Sequence, residues 1–354
     1  MTPERFHAIT EQYPRLTLTI IGDFCLDRYL EIDPARSETS IETGLPVHNV
    51  VRVRAQPGGA GTILNNLAAL GIGIIYPIGF AGDDGEGFEL RQALGALPGV
   101  RLDYFIQTAE RRTFTYCKPL VLEPGKPPRE LNRLDSKNWT PTPFALAERV
   151  SDAANRLASE ADAMILLSQV DLAETGVVSR GVLQTVHTIA AGNPRLPILA
   201  DSRHGLRGFP AVVFKMNARE LAVLAGKTSF ADTAEITETA SALARRNGRP
   251  VFVTLAEQGI LGAAPDGTTE HVAALPVRGE IDIVGAGDAV TANLTAALAA
   301  GASLREALEL ANAAASVVIH QLGTTGTATV AQLQDLLFGG SPRCPASGQD
   351  QVSL

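Results

Sequence analysis

The stretch Asp282-Ile283-Val284-Gly285-Ala286-Gly287-Asp288 lies between an extended run at 272–277 and a helical pattern through Val290, Leu294 and Leu298. Two glycines separated by one alanine at a helix N-terminus leave backbone N–H groups free and sterically open, which makes an anion site. Gly285, Ala286 and Gly287 can thus cradle a transferring phosphoryl group. Asp288, in the first helical turn, can take the proton of an attacking hydroxyl. A plainer explanation stays open: acidic residues favour helix N-termini for the dipole alone.

Upstream, short apolar runs alternate with helical patterns. A strand at 16–22 leads to a helix at 60–70 and an apolar run at 72–79, and runs at 163–167, 198–201, 212–217 and 251–255 each border a helical pattern. This alternation predicts an α/β fold with a mostly parallel sheet covered on both faces, and ligands beyond the carboxyl ends of its strands. Two segments, 26–54 and 112–134, break the rhythm and read as extended. In the second, 113–122 and 129–134 flank the turn-forming Glu123-Pro124-Gly125-Lys126-Pro127-Pro128. Together they predict a small β-sheet outside the main one, read as a lid. Ser303 with Glu306, and Thr329 with Gln332, have capping-box spacing for two C-terminal helices. Residues 341–354 are polar and punctuated by Pro and Gly, predicting a disordered tail.

Other residues suit chemistry, each with a bland alternative. Pro57-Gly58-Gly59-Ala60-Gly61 opens the helix carrying Asn65, Asn66 and Leu67. Paired glycines admit close approach of a polyhydroxyl ligand, or simply make a tight turn. Asp23 and Asp27 follow the first strand, where they can accept sugar hydroxyls or cap a loop. Asn217 and Glu220, three apart at a helix start, can hold Mg²⁺ through water or form an ordinary capping box.

Composition narrows the class. At 354 residues the chain exceeds the roughly 250–300 that one core supports, so a large domain with a smaller appendage is expected. A net charge of -8 and a pI of about 5.4 argue against a nucleic-acid partner. Cys25, Cys117 and Cys344 are far apart with no CxxC spacing, which predicts a reducing, cytoplasmic setting. The six histidines have no metal-ligand spacing. No apolar run approaches the ~18 residues of a membrane span, so no membrane partner is expected.

Taken in order, Gly58-Gly59, Asn217 to Glu220 and Asp282 to Asp288 resemble the Gly-Gly, Asn-x-x-Glu and Asp-x-x-Gly-Ala-Gly-Asp motifs of the ribokinase-like (PfkB-type) sugar kinases, over 16–335. The resemblance implies a three-layer α/β/α sandwich with a small β-sheet lid, ATP with Mg²⁺, and Asp288 as catalytic base. It implies that Gly285, Ala286 and Gly287 form the anion hole and that Asn217 and Glu220 organise Mg²⁺ and phosphate waters. Thr254 and Gly259 would belong to the nucleotide loop, and Asn312 to the adenine pocket. Asp23, Asp27, Gly58, Gly59, Thr62 and Asn66 would lie on the acceptor side, with Lys118, Arg112 and Arg133 as candidates for a substrate phosphate unless they merely face solvent. A homodimer through the lid strands is a further expectation.

Within this family the chain is similar to the kinases that phosphorylate D-glycero-D-manno-heptose 7-phosphate at O1. The similar stretches are Ile21-Gly22-Asp23 through Asp27-Arg28-Tyr29, Pro57 to Ala60, Arg133-Leu134-Asp135, Glu257-Gln258-Gly259 and Ala311 to Ala315. Some such kinases are fused to a nucleotidyltransferase. Here no His-x-Gly-His follows, and adenylylation is expected of another protein. The chain departs from the pattern at Thr62, where many relatives carry Asn, at 37–43 in the lid, and at Val284, where Thr is usual and where contacts to nucleotide or K⁺ would change. A free sugar or nucleoside as acceptor, and a catalytically silent sensor, are the alternatives. Retention of Asp288, Gly285, Gly287, Asn217 and Glu220 speaks against the sensor. The Gly-x-Gly-x-x-Gly of a dinucleotide oxidoreductase is absent after the first strand, which ends Gly22-Asp23-Phe24.

Overall fold

The computed structural model describes residues 1–323 and 325–339, so the expected tail at 341–354 lies outside the described residues. In chain order the strands are β1 Thr17–Gly22, β2 Phe24–Ile32, β3 Glu38–Thr39, β4 Pro46–Val47, β5 Val50–Gly59, β6 Ile74–Gly82, β7 Phe105–Thr108, β8 Thr115–Val121, β9 Arg129–Glu130, β10 Ala163–Ser168, β11 Ile198–Ser202, β12 Val213–Asn217, β13 Val251–Thr254, β14 Ile260–Ala263 and β15 Thr269–Val272. The helices are α1 Pro3–Thr10, α2 Ala60–Ala69, α3 Gly85–Gly95, α4 Phe144–Leu157, α5 Arg180–Gly192, α6 Ala218–Leu224, α7 Thr233–Asn247, α8 Ala286–Ala299, α9 Leu304–Val318 and α10 Val330–Phe338.

Nine strands form the main sheet in the order β15-β14-β13-β12-β11-β10-β1-β6-β7. It is parallel from β7 to β13, and antiparallel where the β13–β14–β15 meander closes one edge. Its strands are apolar on both faces because both are covered. Ile165 and Leu167 of β10 join a core with Leu64 and Leu67 of α2, Leu294 of α8 and Leu308 of α9, while Met164 and Leu166 join Val150 of α4, Val186 of α5 and Leu243 of α7. Three layers result, as expected.

Four strands, in the order β5-β2-β8-β9, form a separate small sheet, and β3 and β4 pair as a two-stranded ribbon. The small sheet begins earlier and ends later than the sequence suggested. β2 starts at Phe24, and Gly58 and Gly59 are the last residues of β5, paired with Cys25 and Phe24. The glycines therefore close a strand as well as precede a helix. β9 is only two residues long, and the extended run expected at 272–277 is strand only to Val272.

Ahead of the 16–335 span of the resemblance, Pro3–Thr10 form α1. Phe6, Ile9 and Tyr13 are buried, and the Phe6 ring meets Phe338 of α10 edge-on at 5.4 Å. Arg5 ties α1 to α9 through Glu306 at 2.7 Å.

The chain runs from β1 outward to β6 and β7, then returns to β10 on the other side of β1. A crevice is expected beyond the carboxyl ends of strands where the order reverses in this way. The first turn of α8 packs over β10 and β11 at this point.

Candidate active site

Gly285 is the N-cap of α8, with φ +84°, a conformation that glycine adopts without strain. Among the described residues, no acceptor is supplied to the N–H groups of Gly285, Gly287 and Asp288, while that of Ala286 is held by the Ile283 carbonyl at 3.2 Å. Three converging donors at the positive end of a helix suit a phosphoryl group. Gly287 is constrained for a second reason: a Cβ there would stand 3.2 Å from the Lys215 ammonium. A buried cation thus lies directly beside the anion hole.

Lys215, on β12, was missed in the sequence, as were its partners. Its Nζ donates to Asp201 Oδ2 at 2.7 Å, and Thr291 Oγ1, on α8, donates to the same oxygen at 2.9 Å. Burial works to discharge Lys215, but the Asp201 carboxylate outweighs it and the ammonium is held above its ordinary range. Three elements distant in sequence meet here, so no local spacing announces the cluster.

Asp288 is pushed up to about 7. Burial is the main cause; Lys215 works against it, and Asp201 and Asp27 add to it. A carboxylate poised near neutrality beside an anion hole can act as a general base at working pH.

On the acceptor side, Asp27 on β2 lies in register with Gln56 on one side and Tyr116 on the other. Its Oδ1 accepts from Lys118 Nζ at 3.1 Å, and Lys118 also reaches the Tyr29 hydroxyl at 3.3 Å. A Cβ on Gly58 would come within 2.5 Å of Asp27 Oδ2, so the glycine is what lets the carboxylate sit there. Gln56 donates to Thr325 Oγ1 at 2.7 Å, joining the small sheet to the loop after α9. Arg133 forms a fork with Asp135, at 2.9 and 3.1 Å, and lies over the Tyr116 ring. Arg112 is exposed, and its backbone is held by Asn138.

Two acceptor-side candidates are held by the backbone around them. Asp23 is enclosed, and its carboxylate accepts from the N–H groups of Val177 at 2.6 Å, Gln169 at 2.7 Å and Val170 at 3.3 Å. It anchors the loop after β10 to the end of β1. Asn66 is fully enclosed as well, donating to the carbonyls of Thr62 and Gly326 at 3.0 and 3.4 Å. Thr62 is also buried. These α2 residues build the wall behind the Gly-Gly strand end.

On the other flank, Asn217 and Glu220 form a reciprocal capping box: Glu220 N–H donates to Asn217 Oδ1 at 2.9 Å, and Asn217 N–H to Glu220 Oε2 at 2.8 Å. The box leaves Oε1 of Glu220 over. Burial pushes the Glu220 carboxyl up, with Asp201 adding to it. Asn217 pairs in register with Thr254 at the end of β13. Gly259, at φ +96°, turns into β14 with no room for a Cβ against the Val272 carbonyl. Asn312 on α9 donates to the adjacent Ala273 carbonyl at 2.8 Å. Thr254, Gly259 and Asn312 therefore group at the β13–β15 edge, in a different sheet from Asp27 and Gly58.

A glycine-rich helix start and a carboxyl raised by burial at the switch point of such a sandwich suit phosphoryl transfer. Residues 24–330 match the pfkB family of carbohydrate kinases, and the chain belongs to that family. It is 32% identical over 320 residues to the bifunctional protein HldE of Azorhizobium caulinodans, covering 87% of this chain and 61% of that protein. It is 33% identical to the HldE of Gluconacetobacter diazotrophicus, covering 93% and 67%. The chain thus spans about three fifths to two thirds of the length of these relatives. Among solved structures it resembles Arabidopsis thaliana ribokinase complexed with ribose and ATP (TM-score 0.63, 20% identity, 91% of this chain and 99% of that one). It also resembles Escherichia coli phosphofructokinase-2 in complex with fructose-6-phosphate (TM-score 0.65, 19% identity, 91% and 97%). These two likenesses concern the fold. No helix of the described residues is long and apolar enough to cross a membrane.

Proposed function

We propose that this kinase transfers the γ-phosphoryl group of ATP to O1 of a heptose 7-phosphate, with Asp288 as the base. The observation that carries the assignment of the base is the position of Asp288, held near neutrality beside the free N–H groups of Gly285 and Gly287. Similarity to the HldE proteins, together with the stretches around Asp27, Gly58 and Arg133, supports the heptose acceptor.

Asp288 takes the proton of the acceptor hydroxyl as that oxygen attacks the phosphorus, and the backbone donors and Lys215 hold the negative charge of the group in flight. Asp27 and the backbone at Gly58 orient the sugar. Mg²⁺ supplies charge neutralisation on the phosphates when bound. Glu220, with one carboxylate oxygen to spare, would hold through water an ion brought in with nucleotide. K⁺ would rest on backbone carbonyls, since Val284 offers no side-chain oxygen and the Asp282 carboxylate is engaged by Val284 and Gly323 N–H.

The small sheet acts as a lid over the acceptor. Exposed Ile41, Leu45, Val51 and Val53 support pairing of two copies through this region, which light scattering tests. The test of function is ADP release with Mg-ATP across heptose 7-phosphates, other sugar phosphates, free sugars and nucleosides, with Asp288→Asn alongside. Turnover on a heptose 7-phosphate, abolished in the variant, is expected. Turnover only on another acceptor overturns the heptose assignment, and turnover undiminished in the variant overturns the base.

A further inference from the structure

One residue of the small sheet gathers more positive charge than the fold requires. The Tyr116 ring has the Arg133 guanidinium 4.4 Å from its centroid and the Lys137 ammonium at 5.7 Å, and its hydroxyl accepts from Arg203 Nη1 at 3.1 Å. The three cations come from two segments: Arg133 and Lys137 from the connection between β9 and α4, and Arg203 from the end of β11. Two carboxylates answer them. Asp135 is engaged by Arg133, while Asp171 is shared by Lys137 at 2.5 Å, Arg203 at 3.7 Å and His204 at 3.8 Å. One carboxylate cannot satisfy that set, and Arg203 is the looser partner, with about half its side chain exposed.

The position is informative. Tyr116 is the register partner of Asp27, so both side chains leave β8 and β2 on one face of the small sheet. Arg203 follows Asp201, the partner of Lys215, by two residues. The cluster therefore stands at the ends of β10 and β11, on the acceptor side of the anion hole and away from Thr254, Gly259 and Asn312. Burial pushes the Tyr116 phenol up to about 12, so it remains a protonated donor. Lys118, which the sequence offered for a phosphate, is committed to Asp27 and Tyr29.

We propose that Arg133, Lys137 and Arg203, gathered round Tyr116, form a subsite for the phosphate that the acceptor already carries, a sugar phosphomonoester. Planar guanidinium groups suit phosphate oxygens, and a hydroxyl completes the set. The inference rests on the kinase reading above and adds which residues select a phosphorylated acceptor. It also assigns Arg133 a role shared with two residues that no motif marks.

The experiment is calorimetric binding of D-glycero-D-manno-heptose 7-phosphate, the dephosphorylated heptose, inorganic phosphate and ATP to the wild type, Arg203→Ala, Arg203→Lys and Lys137→Ala, with turnover measured in parallel. The wild type is expected to bind the phosphorylated heptose at least ~10-fold more tightly than the free heptose. Arg203→Ala and Lys137→Ala should each erase most of that advantage and leave ATP affinity unchanged, and Arg203→Lys should restore part of it. Equal losses for both heptoses, no loss for either, or a fall in ATP affinity alone would overturn the subsite. A wild type that turns over free sugars and gains nothing from the phosphate overturns the subsite and leaves the kinase standing. Phosphate-dependent binding lost in the variants, with no turnover on any acceptor, upholds the subsite and sinks the heptose kinase assignment.

Discussion

Lys215 Nζ and Asp201 Oδ2 stand 2.7 Å apart beneath the first turn of α8, and both are felt by Asp288. They act on it with opposite sign: the ammonium favours the carboxylate and Asp201 opposes it. Lys215→Met should therefore move the acid limb of the pH–kcat profile to higher pH and lower the rate at pH 7. Asp201→Asn should move it to lower pH. Shifts in the same direction would show that the pair acts by packing alone. Breaking a buried pair costs about 3–5 kcal/mol, so both variants should also melt earlier.

The activity should rise with pH through about 7 and level off above it, because the base must be ionised. Stability runs the other way. A carboxyl raised from its ordinary range binds its proton more tightly folded than unfolded, so stability falls as pH climbs from about 4 to about 7 and is flat beyond. Asp288→Asn should thus abolish turnover while raising the melting temperature at pH 8 by about 2–4 °C, the equivalent of about 1 kcal/mol. Calorimetry at pH 5 and pH 8 checks this; a gain at pH 5 as large as at pH 8 would contradict it.

Gly287→Ala sets a methyl group 3.2 Å from the Lys215 ammonium. We expect a loss of ~10²-fold in kcat, the scale of a displaced oxyanion donor, with little change in KM for the acceptor.

Gly58→Ala drives a Cβ to 2.5 Å from Asp27 Oδ2, so its effect should fall on acceptor KM instead. Steady-state kinetics separate the two glycines.

Asp23→Ala strips acceptors from three backbone N–H groups, at least one of them buried, and should cost ~3 kcal/mol or more in urea unfolding. If Asp23 instead met substrate, stability would hold and KM would rise.

Much of this was legible locally. Asp282 to Asp288 announced the start of α8 because a glycine pair, an acid and a helical pattern sit within a few residues, and Gly285 caps that helix. Ser303 with Glu306 and Thr329 with Gln332 announced helices for the same reason, and both boxes form. The Lys215–Asp201–Thr291 cluster could not be read, because three elements contribute one residue each and only the sheet order brings them together. Asp23 looked like Asp27 in sequence; folding turned one to the backbone of a distant loop and the other to Lys118 on the neighbouring strand. The spacing of Phe6, Ile9 and Tyr13 was a helical signal present in the sequence, overlooked among charged neighbours.

Helix α8 is enclosed around almost its whole circumference, with every residue from Ala289 to Ala297 buried between the main sheet and its neighbours α2 and α9. Amides in such an element exchange with solvent only when the whole domain opens, whereas those of the small sheet, with its exposed outer strands, open at far lower cost. Asp288 therefore stands at the start of the slowest-exchanging part of the protein and Asp27 in one of the fastest, so a hydrogen-exchange time course would separate the openings of these two parts on a single chain.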